Sequence, residues 1–515
     1  MSLYLGIDVS TQSVKCIVID VKSGRIAAES NVRFGKDLPQ YNSPDGFLPH
    51  PSPLVRHADP MMWIDGMELA LERLAGSGID MSTIKGISGS GQQHGSVYLA
   101  ADLPEYVSGI PLSQQIQPVL SRSTSPIWLD RSTSDACREL DEKFGSFLIR
   151  QTGSPAAERF TGPQIRTFAQ EKPGDYAKTK RIHLVSSFMA SVLCGKDAPI
   201  DYGDGAGMNL LDLHALDWNR EIAEFTAPGL TEKLPPAAPG NTIAGKLHTY
   251  FTRYGLAAGT PVVVWSGDNP SSLVGTGCFA PGTAGISLGT SDTLFMPMKQ
   301  FHTDPELCGH VFGNPAGGFL SLICFTNGSL AREKVREANH ADWHFFDEVS
   351  VQESSPGNNG KLMLPYFEAE STPVVLQPEV VRNYENATAA EDIRAILESQ
   401  MLAMRLHSSW IGEEIRCIRL TGGASSSPAL QQIAADIFGA EVQTIQVTNS
   451  AGLGSAMRAA SAVSGMSLAE LSDLFCQGQK AASPRREYQA VYDKLLEEYK
   501  TLEKGFIKEK SLNAH

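Results

Sequence analysis

A chain of 515 residues with 42% hydrophobic and 19% charged side chains is globular in composition and exceeds the ~250–300 residues one core supports, so two domains are expected. Its 43 basic against 57 acidic residues leave a net charge of −14, which disfavours nucleic acid and anionic membrane surfaces as partners. Eight cysteines without a C-x-x-C pair, no export-signal pattern in MSLYLGIDVS and no run of ~18 apolar residues argue against zinc, disulfide, secreted and membrane-spanning classes, and point to a soluble cytoplasmic protein.

Along the chain, Tyr4 to Asp8 and Val14 to Ile19 read as strands around the turn Val9-Ser10-Thr11-Gln12-Ser13. Ile84 to Ile87 runs into the glycine/serine loop SGSGQQHG. Residues 101–126 are rich in Pro, Ser and Gln and read as an insertion. The segments LPPAAPG (234–240) and GLAAGTP (255–261) place a domain boundary near residue 258, giving lobes 1–258 and 259–515.

In the second lobe Pro261 to Trp265 reads as a buried strand. Ala284 to Leu288 and Thr293 to Met296 flank the turn Gly289-Thr290-Ser291-Asp292. The octapeptide GIDVSTQS (6–13) aligns without a gap on GISLGTSD (285–292), a faint internal duplication with one copy per lobe. Ile415 to Leu420 runs into a second loop, TGGASSS. Ser427 is then a helix cap, Pro428 the first helical residue, and Gly439 the stop after apolar positions Leu430, Ile433, Ala434 and Ile437. The charged run Arg485 to Lys510 reads as a C-terminal surface helix.

Two strand-turn-strand units with small hydroxyl residues present successive N–H groups toward one point, which suits phosphate oxygens without net positive charge. Competing nucleotide signatures fail. GNTIAGKL (240–247) has Leu247 where a magnesium-binding hydroxyl belongs, and GSGQQHG (89–95) has His94 where a dinucleotide fingerprint needs glycine. Asp8 and Asp268 both end strands, where α/β proteins place functional groups. A turn-stabilising role for Asp8 and a helix N-cap role for Asp268 are the alternatives.

Taken together, GIDVSTQSVK, SGSGQQHG, SGDNPSSLVG, ISLGTSDTLF and LTGGASSSPAL resemble, in order and spacing, the FGGY carbohydrate kinases. The resemblance covers nearly the whole chain. ERFTGPQI, HLVSSF, IDYGDGAGMNLL and FTNGSLAREK bring it nearest the animal-type xylulose kinase branch. It implies an α/β architecture of two ribonuclease-H-like, actin-like domains, with ATP and sugar meeting between them, and phosphorylation of D-xylulose.

The same resemblance implies that Asp268 is the general base and that Asp8 helps hold Mg²⁺ on the phosphates. His94, Arg159, Asp268 and Asn269 would bind the sugar. Ser10, Thr11, Gln12, Gly289, Thr290 and Ser291 would cradle the phosphates, and Trp343, Gly423, Ala424 and Ser427 would line the nucleotide site. Ser10 stands where the family often has glycine, and Ser427 where it carries a longer polar residue such as Asn. Another ketose or polyol as substrate, or a non-catalytic sugar or nucleotide sensor, are the other readings. Two-fold oligomers are the commonest assemblies, so a homodimer is the default expectation.

Overall fold

The computed structural model describes residues 2–445, 447 and 449–513. The chain folds as two compact units. The first comprises Met1–Phe279, Val311–Leu320 and Val447–Gln477, and the second Ala280–His310, Ser321–Gln446 and Gly478–His515. Each is a mixed α/β body built on a twisted sheet.

In the first unit the strand Leu3–Val9 is fully buried and lies between two neighbours. It pairs antiparallel with Ser13–Asp20 and parallel with Ile84–Gly91, which sets Asp8 opposite Ser90. Arg25–Arg33 extends the meander. Strands buried on both faces read as continuous apolar runs, which is why LYLGIDV and SVKCIVID lack alternation. The helix Pro60–Ala75 covers this sheet with Trp63, Met67 and Leu71, and starts where the Asp59 side chain accepts from the Met61 N–H, a cap worth about 1 kcal/mol.

The first segment of this unit runs to Phe279, past the expected boundary near residue 258. The cause is ladder pairing. Pro261–Val263 joins Ile84–Gly91 in parallel and Ile243–Lys246 antiparallel, and Ser266–Gly267 continues beside Ser90 and Gly91. The helix Ser450–Ser464 also belongs to this unit. A Cβ on Gly275 would lie 1.9 Å from the Ser450 carbonyl oxygen, and one on Gly454 1.9 Å from that of Ser271. The helices Asp268–Gly275 and Ser450–Ser464 therefore cross backbone to backbone, at a distance only glycine allows.

The second unit repeats the central arrangement. Thr283–Leu288 pairs antiparallel with Asp292–Met298 and parallel with Cys417–Thr421, as Leu3–Val9 does with its two neighbours. Glu441–Thr444 and Gln479–Ala482 continue the sheet. The helix Ala389–His407 begins in a reciprocal capping box between Thr388 and Glu391. Pro428–Phe438 starts at Ser427 and stops at Gly439 in the left-handed region, as its sequence predicts. The C-terminal helix Gln489–Asn513 is less superficial than its charge suggests, since Tyr492, Leu495, Tyr499 and Phe506 are buried.

Several buried charges in this unit are paired. Arg332 grips Asp292 through two nitrogens at 2.7 and 3.0 Å, and Arg394 meets Glu398 at 2.9 Å. His407 lies 3.0 Å from Glu503 and 3.2 Å from Glu306. Burial alone would lower its pKa, yet the hydrogen bonds to Glu306 and Glu503 prevail and raise it to about 9. A raised folded-state pKa stabilises fully below the unfolded value of ~6.5 and is lost as pH rises through the folded one. Thermal denaturation of the wild type and His407→Gln should thus differ by several degrees at pH 6 and converge by about pH 9. A difference independent of pH would show that the imidazolium contributes nothing.

Candidate active site

In the first unit the loop after Ile84–Gly91 organises the polar residues. The Ser90 hydroxyl donates to Asp8 Oδ1 at 2.8 Å. The Gln93 N–H donates to the Asp268 carboxylate, and Gln93 Oε1 accepts from Asn269 Nδ2 at 2.7 Å. The end of this strand and the loop after it thus reach Asp8, Asp268 and Asn269.

Asp268 is the first residue of its helix, and Gly267 occupies the cap without a side-chain bond. The N-cap alternative is therefore not realised, and the carboxylate stays half-buried, accepting from the Asn269 N–H at 2.9 Å. Burial, then the neighbouring Asp8 charge, pushes the Asp268 pKa up to about 7. Burial likewise lifts Asp8 to about 6, against the opposing pull of Ser90 and Lys15. A carboxyl group near 7 is a far better proton acceptor at neutral pH than one at ~3.9.

His94 sits at φ +69°, a conformation that non-glycine residues seldom hold unless their surroundings enforce it. Its Nδ1–H donates to the Gly207 carbonyl at 2.9 Å, which directs Nε2 elsewhere. The ring stacks on Phe160 at 4.4 Å, and the Arg159 guanidinium lies 5.8 Å from the same Phe160 ring. A Cβ on Gly207 would fall 2.8 Å from the imidazole, which accounts for the last glycine of GDGAG. His94 and Arg159 thereby meet through Phe160, while His94 reaches Asp268 and Asn269 through its neighbour Gln93.

Behind these residues lies a polar layer that the sequence did not disclose as such. Asp204 receives the Ser186 hydroxyl, Asp201 Oδ1 accepts the Asp204 N–H at 2.9 Å, and Arg458 stands 3.9 Å from Asp201. All are buried. Burial, with the Asp201 and Asp268 charges added, pushes the Asp204 pKa well above the carboxylate range. The signals were present in HLVSSF and IDYGDGAGMNLL, but nothing in the sequence says that Arg458 joins them.

The two duplicated turns have the same hydrogen-bond plan. In the first, the Ser10 N–H is already donated to the Ser13 carbonyl at 2.9 Å. In the second, the aligned Gly289 N–H is donated to the Asp292 carboxylate at 3.1 Å. The amides that follow, of Thr11 and Gln12 and of Thr290 and Ser291, donate to nothing among the described residues. Ser10 is not in the left-handed region, so serine in place of glycine brings no strain. The Thr11 hydroxyl is anchored by Trp128 Nε1 at 2.8 Å.

In the second unit Gly289 and Thr290 border a cavity of about 420 Å³ whose other walls include Trp343, Gly423, Ala424 and Ser427. The second turn and the residues expected to hold nucleotide thus share one cavity. Trp343 is half exposed, meeting Phe346 edge-on at 5.5 Å, with Arg336 over its ring at 4.7 Å. Gly423 has open space where a side chain would project; the left-handed glycine of the loop is its neighbour Gly422. Ser427 caps its helix by accepting from the Leu430 N–H, and donates to Asp347, a cavity residue absent from the sequence expectation.

No group of three or more His, Cys, Asp or Glu side chains among the described residues is placed to hold a metal. That is compatible with Mg²⁺ arriving on a nucleotide, since Mg²⁺ takes one or two carboxylates and completes its octahedron with water and phosphate oxygens. Asp8, buried with only Ser90 and Lys15 to favour its charge, is a side chain that such a cation would stabilise as carboxylate. No helix among the described residues is long and apolar enough to cross a membrane.

Comparison with known proteins identifies the family. Residues 3–275 match the FGGY family of carbohydrate kinases, N-terminal domain, and residues 284–463 its C-terminal domain. The chain belongs to this family and is an ATP-dependent carbohydrate kinase with the two-domain, actin-like fold expected from its motifs. It is 38% identical to the xylulose kinase of Rattus norvegicus over 98% of this chain and 97% of the relative. It is 39% identical to xylulose kinase 2 of Arabidopsis thaliana over 89% and 87%. Among solved structures, a xylulose kinase from Brucella ovis superposes with a TM-score of 0.82 at 23% identity, covering 98% and 99% of the two chains. A gluconate kinase from Lactobacillus acidophilus gives 0.81 at 19%, covering 98% of each. Those likenesses establish the fold, which kinases of different sugars share.

Proposed function

We propose that this enzyme transfers the γ-phosphoryl group of Mg-ATP to D-xylulose, giving D-xylulose 5-phosphate, with Asp268 as general base. The observation that carries the reading is the convergence of Asp268, Asn269 and His94 on the loop Gln92–Gly95, combined with identity to xylulose kinases over nearly the whole chain. His94, Arg159 and Asn269 supply the mixed charged and neutral hydrogen-bonders a polyhydroxylated chain needs. The buried Gln93 Nε2 and Asp204 Oδ1, which have no hydrogen-bond partner among the described residues, add unspent capacity beside them.

The terminal sugar hydroxyl attacks the γ-phosphorus, the bond to the β-phosphate oxygen breaks, and the hydroxyl proton passes to the Asp268 carboxylate. In a loose phosphoryl-transfer transition state that proton leaves late, so the base positions first and accepts afterwards. Asp8 is assigned to the Mg²⁺ that accompanies the nucleotide, through water. The Thr11, Gln12, Thr290 and Ser291 amides are assigned to phosphate oxygens, and Trp343, Gly423, Ala424 and Ser427 to the nucleoside. All eight cysteines are free, which fits a reducing cytoplasm.

The test is ADP release across D-xylulose, L-xylulose, D-ribulose, L-ribulose, glycerol, gluconate and no sugar. D-xylulose is expected to give the highest kcat/KM by at least tenfold. A higher value for gluconate or another polyol would reassign the substrate within the same architecture. Turnover no greater than the no-sugar rate, with sugar still binding, would make the protein a sensor.

A further inference from the structure

Resting on the reading that the 420 Å³ cavity holds the nucleotide, we propose that Asp347 is the residue that fixes which way the nucleotide lies. It accepts a hydrogen bond from the uncharged nucleoside end and repels the phosphate end. The residue sits on a π-helical turn, Phe345–Val349, a local widening of the helix that recurs at functional sites. The turn is held rigidly, with Phe346 buried against Trp343 and Arg336 stacked over Trp343 and bonded to the Ala341 carbonyl.

Charge decides the assignment. The cavity is lined by one cation and one anion, Arg332 and Asp347. The Arg332 guanidinium is committed to Asp292, Gln400 and Ser329, so it has little left for a ligand. Among the described residues Asp347 has one donor, the Ser427 hydroxyl on its Oδ1, and a carboxylate has about four acceptor sites. It is half-buried and forms no salt bridge among the described residues.

The helix Pro428–Phe438 would otherwise be the natural phosphate site of this cavity, since its N-terminus carries unsatisfied N–H groups and positive dipole. Here Ser427 caps it and Asp347 places a carboxylate against that cap. A phosphate brought there would meet like charge. The triphosphate is left with the wall formed by the second turn, where the Thr290 amide is unspent.

A carboxylate accepts and never donates, so the group it meets must be an N–H or O–H. The nucleoside offers two kinds: the ribose 2′- and 3′-hydroxyls and the amino group of the base. The experiment measures affinities of Mg-ATP, Mg-2′-deoxyATP, Mg-3′-deoxyATP and the 6-deamino purine riboside triphosphate by quenching of tryptophan fluorescence, with calorimetry as control. The proteins are wild type, Asp347→Ala, Asp347→Asn and Gly423→Phe. The last fills the cavity from a position with open space above it.

Asp347→Ala is expected to weaken ATP by about tenfold or more, the range for a hydrogen bond to a charged group. One analogue should bind wild type as weakly as ATP binds Asp347→Ala, and the variant should no longer distinguish that analogue from ATP. The 2′- and 3′-deoxy arms report the ribose and the deamino arm reports the base. Unchanged ATP affinity or undiminished discrimination in Asp347→Ala, with Gly423→Phe impaired, would overturn the Asp347 assignment alone. Unchanged affinity in Gly423→Phe as well would overturn the nucleotide reading of the cavity with it.

Discussion

Asp268→Asn is expected to lower kcat by about 10²–10⁴-fold with ATP affinity unchanged and thermal stability equal to or above that of the wild type. The stability half of this expectation follows from the pKa shifts. Asp268 is pushed up to about 7 by burial and by Asp8, and Asp8 to about 6 by burial, so in the unliganded protein each carboxylate is held in surroundings that disfavour its charge. Removing one charge relieves that without breaking the local bond, because an asparagine oxygen can still accept from the Asn269 N–H that Asp268 Oδ1 now engages. Function and stability therefore pull in opposite directions at this residue, as expected of strain kept at a site for its chemistry. Steady-state kinetics with D-xylulose and a denaturation scan read the two halves independently. Wild-type kcat would remove Asp268 from the reaction, and a loss of stability would mean that its carboxylate supports the fold.

What the sequence disclosed here is what depends on neighbours along the chain. The duplicated hairpins were legible because strand, turn and strand are contiguous, and the octapeptides at 6–13 and 285–292 carry both glycine and turn hydroxyl. The helix after TGGASSS was legible from Ser427, Pro428 and Gly439, all of which act locally. Asp8 and Asp268 stood out as acids at strand ends, yet their basicity was not legible, since it comes from burial and, for Asp268, also from Asp8 across 260 positions of sequence.

Long-range partners account for the remaining differences. The Ser10 amide counted as a phosphate donor until the Ser13 carbonyl was seen to take it. The helix Ser450–Ser464 reads in sequence as part of the second lobe, and only the glycine contacts at Gly275 and Gly454 reveal where it packs. Asp347 carries no motif; it becomes a candidate only once Ser427 is found bonded to it. Composition and spacing predict elements, whereas a site is a set of meetings between elements.

The largest structural effect is expected at Arg458, which the helix Ser450–Ser464 carries into the buried acidic layer. Its Nη2 donates to the carbonyls of Gly240 and Val264, each at 2.9 Å, and stands 3.9 Å from Asp201 Oδ2. Arg458→Met keeps much of the side-chain volume and removes the guanidinium. Breaking a buried pair in this way costs about 3–5 kcal/mol, chiefly because the remaining charge is left uncompensated. The Asp201 pKa is already raised by burial, and Arg458 is the first opposing influence, so in the variant it should rise further. A carboxyl that binds a proton in the folded state and not in the unfolded one loses stability as pH rises. The deficit of Arg458→Met in a chemical denaturation series should therefore be larger at neutral pH than at a pH within the ordinary carboxylate range. The double variant Arg458→Met/Asp201→Asn, in which the amide oxygen still accepts the Asp204 N–H, should recover part of the loss and flatten the pH dependence. Strict additivity of the two single variants, at both pH values, would mean that Arg458 holds the Gly240 and Val264 carbonyls and does not neutralise the acids beside it.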